Sequence, residues 1–475
     1  MSSEYLYTFV SKIKSIMQIT SDFLDKHNVS GPRYTSYPPA NFFHTKFTNS
    51  DYQEQLKASN QQQPENISIY IHIPFCPQRC HFCGCNTEIG QKRPFIERYV
   101  DAIKKEINQV CGYLDLKNRK LTQVHWGGGT PNAIAMRYIA DIMNLINEKF
   151  IIDAEAEIAI ECSPAYLEFE HIDQLAVMGF NRMSLGIQDL REDVLQVVNR
   201  QKPKHDVKEI VDYLRGKGFK GINLDFIYGL PLQTVDSLKE TIAKAIEIKP
   251  DRIVTFSYAH VPWVKEEQLK LEKIGLPSPK DKMDMLINNI QQLQQAGYTS
   301  IGIDHFAHPD DQLAIAYKNK KLHRNFQGYC TLETTGQVYG FGASSISQLW
   351  GAYAQNVKSA AKYIEEIENK GFAIERGFTL NVNQQIVRAV INSIMCNGVL
   401  YFDEIAAEFK MTATDIKNIV NYDVNKLVDF EKDGIISISE KGIELSELGH
   451  KIARNIAMAF DPDLKQGESI YSKTV

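Results

Sequence analysis

The chain has 475 residues, 43% of them hydrophobic and 23% charged, enough for one large core and a smaller satellite domain of an ordinary soluble globular protein. Its 53 Lys and Arg against 58 Asp and Glu give a net charge of −5, so no global basic field invites nucleic acid or an anionic membrane surface. No apolar run approaches the roughly 18 residues that a bilayer span needs, and Glu4 and Lys12 sit where a secretory signal would be apolar, so a cytoplasmic location is expected.

In chain order, Tyr5, Phe9, Ile13, Ile16 and Met17 fall near helical spacing and predict a short amphipathic helix over 5–17. The stretch GPRYTSYPPA (31–40) follows; its three prolines and its aromatic and β-branched residues predict an ordered but irregular docking segment. From residue 67, short β-rich runs recur at 67–75, 123–129, 157–162, 182–188, 221–229 and 252–260. Helical candidates at 95–112, 134–149 and 237–248 lie between them. Strand and helix in alternation imply parallel pairing with right-handed crossovers, and six such units predict an α/β fold: a partial, TIM-like β/α barrel. The predicted strand ends read Cys76, Gly128 to Thr130, Glu161, Gln188, Asp225 and Ala259, a polar set at the face where barrels carry their active sites. The run 299–309 predicts a further strand ending in Asp304 and His305, with Arg324 on the next loop facing the same mouth.

Beyond about 380, helices over 385–396, 402–410, 413–433 and 448–460, with a hairpin over 435–445, predict a small, mostly helical winged-helix-like domain. From 380 onward 10 Lys and Arg stand against 14 Asp and Glu, the wrong sign for a phosphate-binding wing, so a structural domain or lid is expected. The expected organisation is an N-terminal helix and docking segment (1–50), a catalytic barrel (51–378) and the winged-helix-like domain (379–475).

Eight cysteines are too few for a disulfide scaffold, yet four crowd into CPQRCHFCGC (76–85). Cys111, Cys162, Cys330 and Cys396 are scattered and read as small buried hydrophobes. A zinc site draws cysteine pairs from two separated places, and no second pair exists here. A redox C-x-x-C would leave Cys76 without a role. Three thiolates spaced C-x3-C-x2-C fit the corners of an iron–sulfur cube and leave one iron open, which S-adenosylmethionine can chelate through its amino and carboxylate groups. A zinc knuckle or a chance cluster is the weaker alternative.

That loop, after the first strand of a β/α chain, resembles the radical SAM superfamily. Within it, YIHIPFCPQRCHFCGC (70–85) resembles the oxygen-independent coproporphyrinogen III oxidases, whose motif carries the extra C-x-C cysteine. SGPRYTSYP, HWGGGTP, NRMSLGIQD, VNR, LDFIYGLP, YAHVP, DHFA and HRNFQGY match the same family in order, from about residue 20 onward. Ser163 and His308 stand where relatives commonly carry Asp and Arg. The resemblance implies one 4Fe–4S cluster on Cys76, Cys80 and Cys83, with no ligand role required of Cys85. It implies two S-adenosylmethionine molecules: the first on Tyr70, Phe82, Gly128, Glu161 and Ile346, the second on Gly129, Thr130, Gln188, Arg200, Asp225 and Ala259. Tyr70 joins the three cysteines as a catalytic residue on this reading. The implied reaction converts two propionates of coproporphyrinogen III to vinyls through a 5′-deoxyadenosyl radical, giving protoporphyrinogen IX in haem biosynthesis.

For a substrate with four carboxylates, Arg33 and Arg324 are the candidate cations, with Tyr34 and Tyr37 as hydrogen-bond donors. The implied partners are the tetrapyrrole, an electron donor for the cluster and an electron acceptor, with no nucleic acid or membrane, and a monomer is expected. Two rival functions share the barrel and the three-cysteine loop: a haem chaperone, which lacks the GPRYTSYP segment and the C-x-C cysteine, and a radical methyltransferase acting on a tetrapyrrole.

Overall fold

Alternation of apolar and polar residues sets the architecture. Six strands, β1 (Ile67–Ile73), β2 (Lys120–Gly128), β3 (Ile151–Cys162), β4 (Arg182–Gln188), β5 (Gly221–Tyr228) and β6 (Arg252–Ser257), correspond to the six predicted runs. On one face Val124, Trp126, Ile160, Met183, Leu185, Leu224 and Phe226 are buried. The intervening residues His125, Glu161, Ser184, Asn223 and Asp225 are polar and point to the other face, as a period of two requires. Helices α1 (Arg93–Cys111), α2 (Met136–Lys149), α3 (Phe169–Val177), α4 (Val207–Gly216), α5 (Val235–Ile248) and α6 (Pro279–Gln295) follow β1 to β6 in turn. Their apolar stripes are narrow: α4 buries Val207, Ile210, Val211 and Leu214, at spacings of three, one and three. Asp206 caps it by accepting from the backbone N–H groups of Lys208 and Glu209.

This computed structural model describes residue 23 and residues 26–302 and 304–464; the helix expected over 5–17 lies outside the described residues. Further strands are β7 (Thr299–Ile301), β8 (His305–Ala307), β9 (Leu322–Asn325), β10 (Gly328–Thr331), β11 (Gln337–Phe341), β12 (Ile346–Gln348), β13 (Ala352–Asn356) and β14 (Ile374–Thr379). The main sheet runs β14-β13-β12-β11-β1-β2-β3-β4-β5-β6-β8-β7, and β9 pairs with β10 apart from it. The expected partial barrel is therefore a run of parallel strands, β11 and β1 to β6, extended by antiparallel strands at both edges. Two expectations are corrected. The sequence reading missed β11 as a parallel neighbour of β1, and the single strand expected over 299–309 is an antiparallel hairpin, with Asp304 in its turn and His305 opening β8.

At the N-terminal ends of β4 and β6 lies a buried network of charges. Arg182 reaches Glu157 at 3.2 Å and Asp311 at 3.3 Å, while Arg252 reaches Asp311 at 2.9 Å. Burial alone would raise both carboxyls; for Asp311 the charges of Arg252 and Arg182, and for Glu157 those of Arg182 and Arg252, outweigh it and hold each below the usual range. A side chain at Gly221 would collide with the Arg182 guanidinium, which Glu157 and Asp311 hold in place, so the network also favours a glycine there.

The described residues cluster into two compact units, one spanning Thr35–Arg388 and the other joining the residues before Thr35 to those from Ala389 onward. These divisions differ from the expected 50/51 and 378/379. Residues 35–50 group with the barrel because His44 and Gly377 exchange backbone hydrogen bonds at 3.0 and 3.2 Å and Phe43 stacks on Tyr353 at 5.3 Å. Arg388 groups there because it donates to the carbonyls of Leu349 and Trp350. In the second unit the expected hairpin forms as Ile436–Ile438 and Gly442–Leu445, with Val399–Tyr401 completing three antiparallel strands. The helix expected over 413–433 is broken into Ala413–Ile419 and Val428–Lys432; Asn421 at φ +49° ends the first segment. Among the described residues no helix is long and apolar enough to cross a membrane.

Asp311→Asn is expected to leave Arg182 and Arg252 sharing one carboxylate and to cost about 3–5 kcal/mol of stability, read as a lower urea midpoint. Since both carboxyls are held down in the folded chain, their contribution is complete at neutral pH and fades as pH falls below about 4. The wild-type midpoint should drop there, and that of the variant should drop less.

Candidate active site

The site begins where β1 and β2 end. Gly129 N–H donates to the Ile73 carbonyl at 2.8 Å and Thr130 N–H to the Phe75 carbonyl at 3.0 Å, so the glycine turn is stitched to the chain just ahead of Cys76. Gly128 sits at φ +114°, where a side chain would also strike the His72 ring at 2.8 Å. A Cβ on Gly129 would meet the Pro74 carbonyl oxygen at 2.7 Å and Cys76 Sγ at 2.9 Å. Thr130 Oγ1 lies 3.2 Å from the same sulfur.

All four clustered cysteines are free thiols. They line one open cavity of about 930 Å³, its solvent-filled mouth included, together with Phe82, Gly128, Gly129, Thr130, Glu161, Gln188, Arg200 and Asp225. Burial pushes the Cys76 thiol up to about 11 and raises that of Cys80. Cys85 lies beside Cys83, and the interaction of the two thiols holds that of Cys83 down and that of Cys85 well up. The one-residue gap between them thus places a second thiol beside an expected ligand. Among the described residues no three Cys, His, Asp or Glu side chains are close enough together to hold a single ion. Three thiols lining one cavity suit a multi-iron cluster, which takes one thiolate at each of several corners.

Around the thiols the strand ends deliver their polar residues. Asp225 accepts from Ser184 Oγ at 2.6 Å and Asn223 Nδ2 at 2.8 Å, and burial still raises its carboxyl. Glu161 Oε1 bonds His125 Nε2 at 2.9 Å. Arg200 donates to Cys80 Sγ at 3.6 Å and to the Gly186 carbonyl. Gln188 holds φ +70° at a bulge in the β4–β5 pairing. Asp189 fixes that bend by accepting from Arg191 N–H, Gln233 Nε2 and Thr241 Oγ1 at 2.9, 2.7 and 3.0 Å. The cysteine loop is pinned from outside as well: His81 N–H donates to the Val198 carbonyl at 2.9 Å and Gln78 Nε2 to that of Asn199 at 2.6 Å.

Three expected residues are not among those lining the cavity. Tyr70 is half-buried, with its hydroxyl 3.0 Å from His72 Nδ1 and its ring stacked on His125 at 6.0 Å. Ile346 packs against Phe43, Tyr353 and Leu380, its backbone across Gly340, the register partner of Tyr70. The Ala259 carbonyl accepts from Gln268 Nε2 at 3.2 Å. Of the residues expected at the substrate, Arg324 lies 5.3 Å over the Tyr329 ring with its Nε buried and unbonded. Tyr37 is buried, and its carbonyl accepts from Tyr353 Oη at 3.2 Å. Arg33 and Tyr34 belong to the other unit, where Tyr34 is buried and donates to Asp461 at 2.8 Å. His125, Asp189 and Gln268 were not picked out in the sequence; HWGGGTP and the D of NRMSLGIQD contain the first two but do not reveal their partners.

Residues 70–245 match the radical SAM superfamily. The chain is 38% identical over 462 residues to the oxygen-independent coproporphyrinogen III oxidase of Synechocystis sp., covering 97% of this chain and 98% of that one. It is 39% identical over 456 residues to the enzyme of that name in Escherichia coli, covering 95% and 97%. A solved structure of coproporphyrinogen III oxidase from Escherichia coli, described as a radical SAM enzyme, superimposes with a TM-score of 0.85 at 38% identity, covering 91% of this chain and 98% of that one.

Gly129→Ala would drive its methyl group into the Pro74 carbonyl and Cys76 Sγ. After anaerobic reconstitution this variant is expected to hold less than about half the iron and sulfide of the wild type while keeping its far-ultraviolet circular dichroism.

Proposed function

The chain belongs to the oxygen-independent coproporphyrinogen III oxidase family of the radical SAM superfamily, and we propose on that footing that this cavity converts two propionates of coproporphyrinogen III to vinyls. The observation that carries the reading is one cavity collecting three unpaired thiols, the glycine turn and the side chains of Glu161, Arg200 and Asp225. The family uses a 4Fe–4S cluster and S-adenosylmethionine, and Cys76, Cys80 and Cys83 are the residues that would hold the cluster. When bound, these groups supply an electron and a sulfonium whose C–S cleavage yields the 5′-deoxyadenosyl radical that takes a β-hydrogen from a propionate.

The chain's own residues bind, orient and shield. Gly128 and Gly129 let backbone approach an amino-acid moiety at a distance that side chains would forbid. Glu161, oriented by His125, and Asp225, oriented by Ser184 and Asn223, offer carboxylate oxygens to ribose hydroxyl or ammonium groups. Arg200 offers a planar cation to a carboxylate. On this reading two S-adenosylmethionine molecules bind in and beside the cavity, the first against Tyr70, Phe82, Gly128, Glu161 and Ile346, the second against Gly129, Thr130, Gln188, Arg200, Asp225 and Ala259, with Tyr70, Ile346 and Ala259 reached beyond its lining. Gly128, Gly129, Thr130, Glu161, Gln188 and Asp225, at or near the C-terminal ends of β2 to β5, all line the cavity, which supports two adjoining subsites. Cofactors and substrate seated in this cavity would displace water from around a radical that would attack it.

Arg324 is the proposed propionate anchor, since its guanidinium rests on the Tyr329 ring with a buried Nε that has no partner. Each propionate loses one hydrogen atom, one electron and CO2, so the reaction calls for an electron acceptor outside the chain and a reductant for the cluster.

Reconstituted anaerobically with S-adenosylmethionine, a reductant and coproporphyrinogen III, the protein is expected to release CO2 and form vinyl groups. Formation of S-adenosylhomocysteine, or stable haem binding without cofactor cleavage, would overturn the reading. Single Ala replacements of Cys76, Cys80 or Cys83 are expected to abolish 5′-deoxyadenosine formation. Arg324→Ala is expected to raise KM about tenfold or more, from the loss of a charged hydrogen bond, with a smaller change in kcat.

A further inference from the structure

Gln268 lies outside every motif and is 1% exposed, yet its amide is engaged at both ends. Its Oε1 accepts from Val261 N–H at 2.6 Å. Its Nε2 donates to the carbonyls of Phe82 and Ala259, each at 3.2 Å. Phe82 sits in the cysteine loop, and Ala259 just beyond β6. In the assignment above they touch the first and the second S-adenosylmethionine. One buried side chain therefore bridges the backbones of both subsites. Two further polar ties between these segments, Arg79 to Glu267 at 2.6 Å and Lys265 Nζ to the Cys85 carbonyl at 3.1 Å, are exposed to solvent, where such contacts hold weakly; the Phe82 ring packs on the buried cluster of Tyr258 and Leu271, a contact that leaves its carbonyl to Gln268.

We propose that Gln268 is a positioning residue that couples the two S-adenosylmethionine subsites, so that filling one favours filling the other. The inference rests on the two-cofactor reading. Its physical basis is that both carbonyls bond one amide nitrogen, whose other end is fixed to Val261. A shift of the Phe82 carbonyl when a ligand settles against it must then strain the bond to Ala259 or move that carbonyl too. Coupling of this kind is reciprocal between the sites. A carboxylate at this position would keep the Val261 bond but turn an oxygen toward two carbonyl oxygens. An asparagine would keep the amide but fall one methylene short of spanning them.

The test is equilibrium dialysis of labelled S-adenosylmethionine against the anaerobically reconstituted protein, for the wild type, Gln268→Glu and Gln268→Asn, with iron content and melting temperature measured on each. The wild type is expected to bind two equivalents with an isotherm steeper than that of independent sites. Whichever variants keep wild-type iron and melting temperature are expected to lose that steepness and to bind the second equivalent about tenfold more weakly, a loss on the scale of one buried hydrogen bond. A merely structural role would move the melting temperature and leave the steepness unchanged. Binding of one equivalent by the wild type would remove the two-cofactor reading and the coupling with it. Two equivalents on independent wild-type sites, or unchanged steepness in an intact variant, would overturn the role of Gln268 alone.

Discussion

Two backbone hydrogen bonds, from Gly129 to Ile73 and from Thr130 to Phe75, set the distance between the glycine turn and the start of the cysteine loop. Backbone bonds can hold this junction only because Gly129 lacks a side chain; a methyl group would occupy the space of the Pro74 carbonyl and the Cys76 sulfur. Once that junction is fixed, Cys76 faces the cavity, Thr130 reaches its sulfur, and the rest of the loop folds back to be held by Val198, Asn199 and Gln268. The thiols are thus placed by main-chain geometry before any ligand arrives, which is the pre-organisation a radical reaction needs.

An acidic chain can host a carboxylate-rich chemistry because its charges are sorted along the strands. At the N-terminal ends Glu157 and Asp311 are matched by Arg182 and Arg252, so those buried charges neutralise one another. At the C-terminal ends Glu161 and Asp225 are matched only by neutral or weakly basic donors, His125, Ser184 and Asn223. Their oxygens stay oriented without being sequestered by a permanent cation, while Arg200 stands beside Cys80. Stability and ligand recognition are thereby assigned to opposite ends of the same strands, as barrel folds arrange them.

Much of this was legible in the sequence because its signals are local. Cys76, Cys80 and Cys83 share a loop of eight residues, and the β4 and β5 runs announce their parity by alternation alone. What escaped depends on pairing across long separations. The strand Gln337–Phe341 reads as another short apolar run until it is laid beside Ile67–Ile71. Asp189 and Gln268 look like ordinary surface residues until Thr241 and Phe82 supply their partners. The break at Asn421 escaped for the opposite reason: a single left-handed residue ends a helix whose apolar periodicity continues past it.

The strict alternation along β5, with Asn223 and Asp225 on one face and Leu224 and Phe226 on the other, restricts how such a chain can change length over evolutionary time. Gain or loss of one residue inside the strand would exchange oil for carboxylate along everything downstream, so viable insertions and deletions there should come in pairs. The bulge at Gly186 and Gln188 shows the exception: it absorbs an odd residue and restores the phase before the turn. Single-residue drift among descendants of this chain should therefore collect at that kink and in the connecting loops, leaving the strands themselves fixed in length.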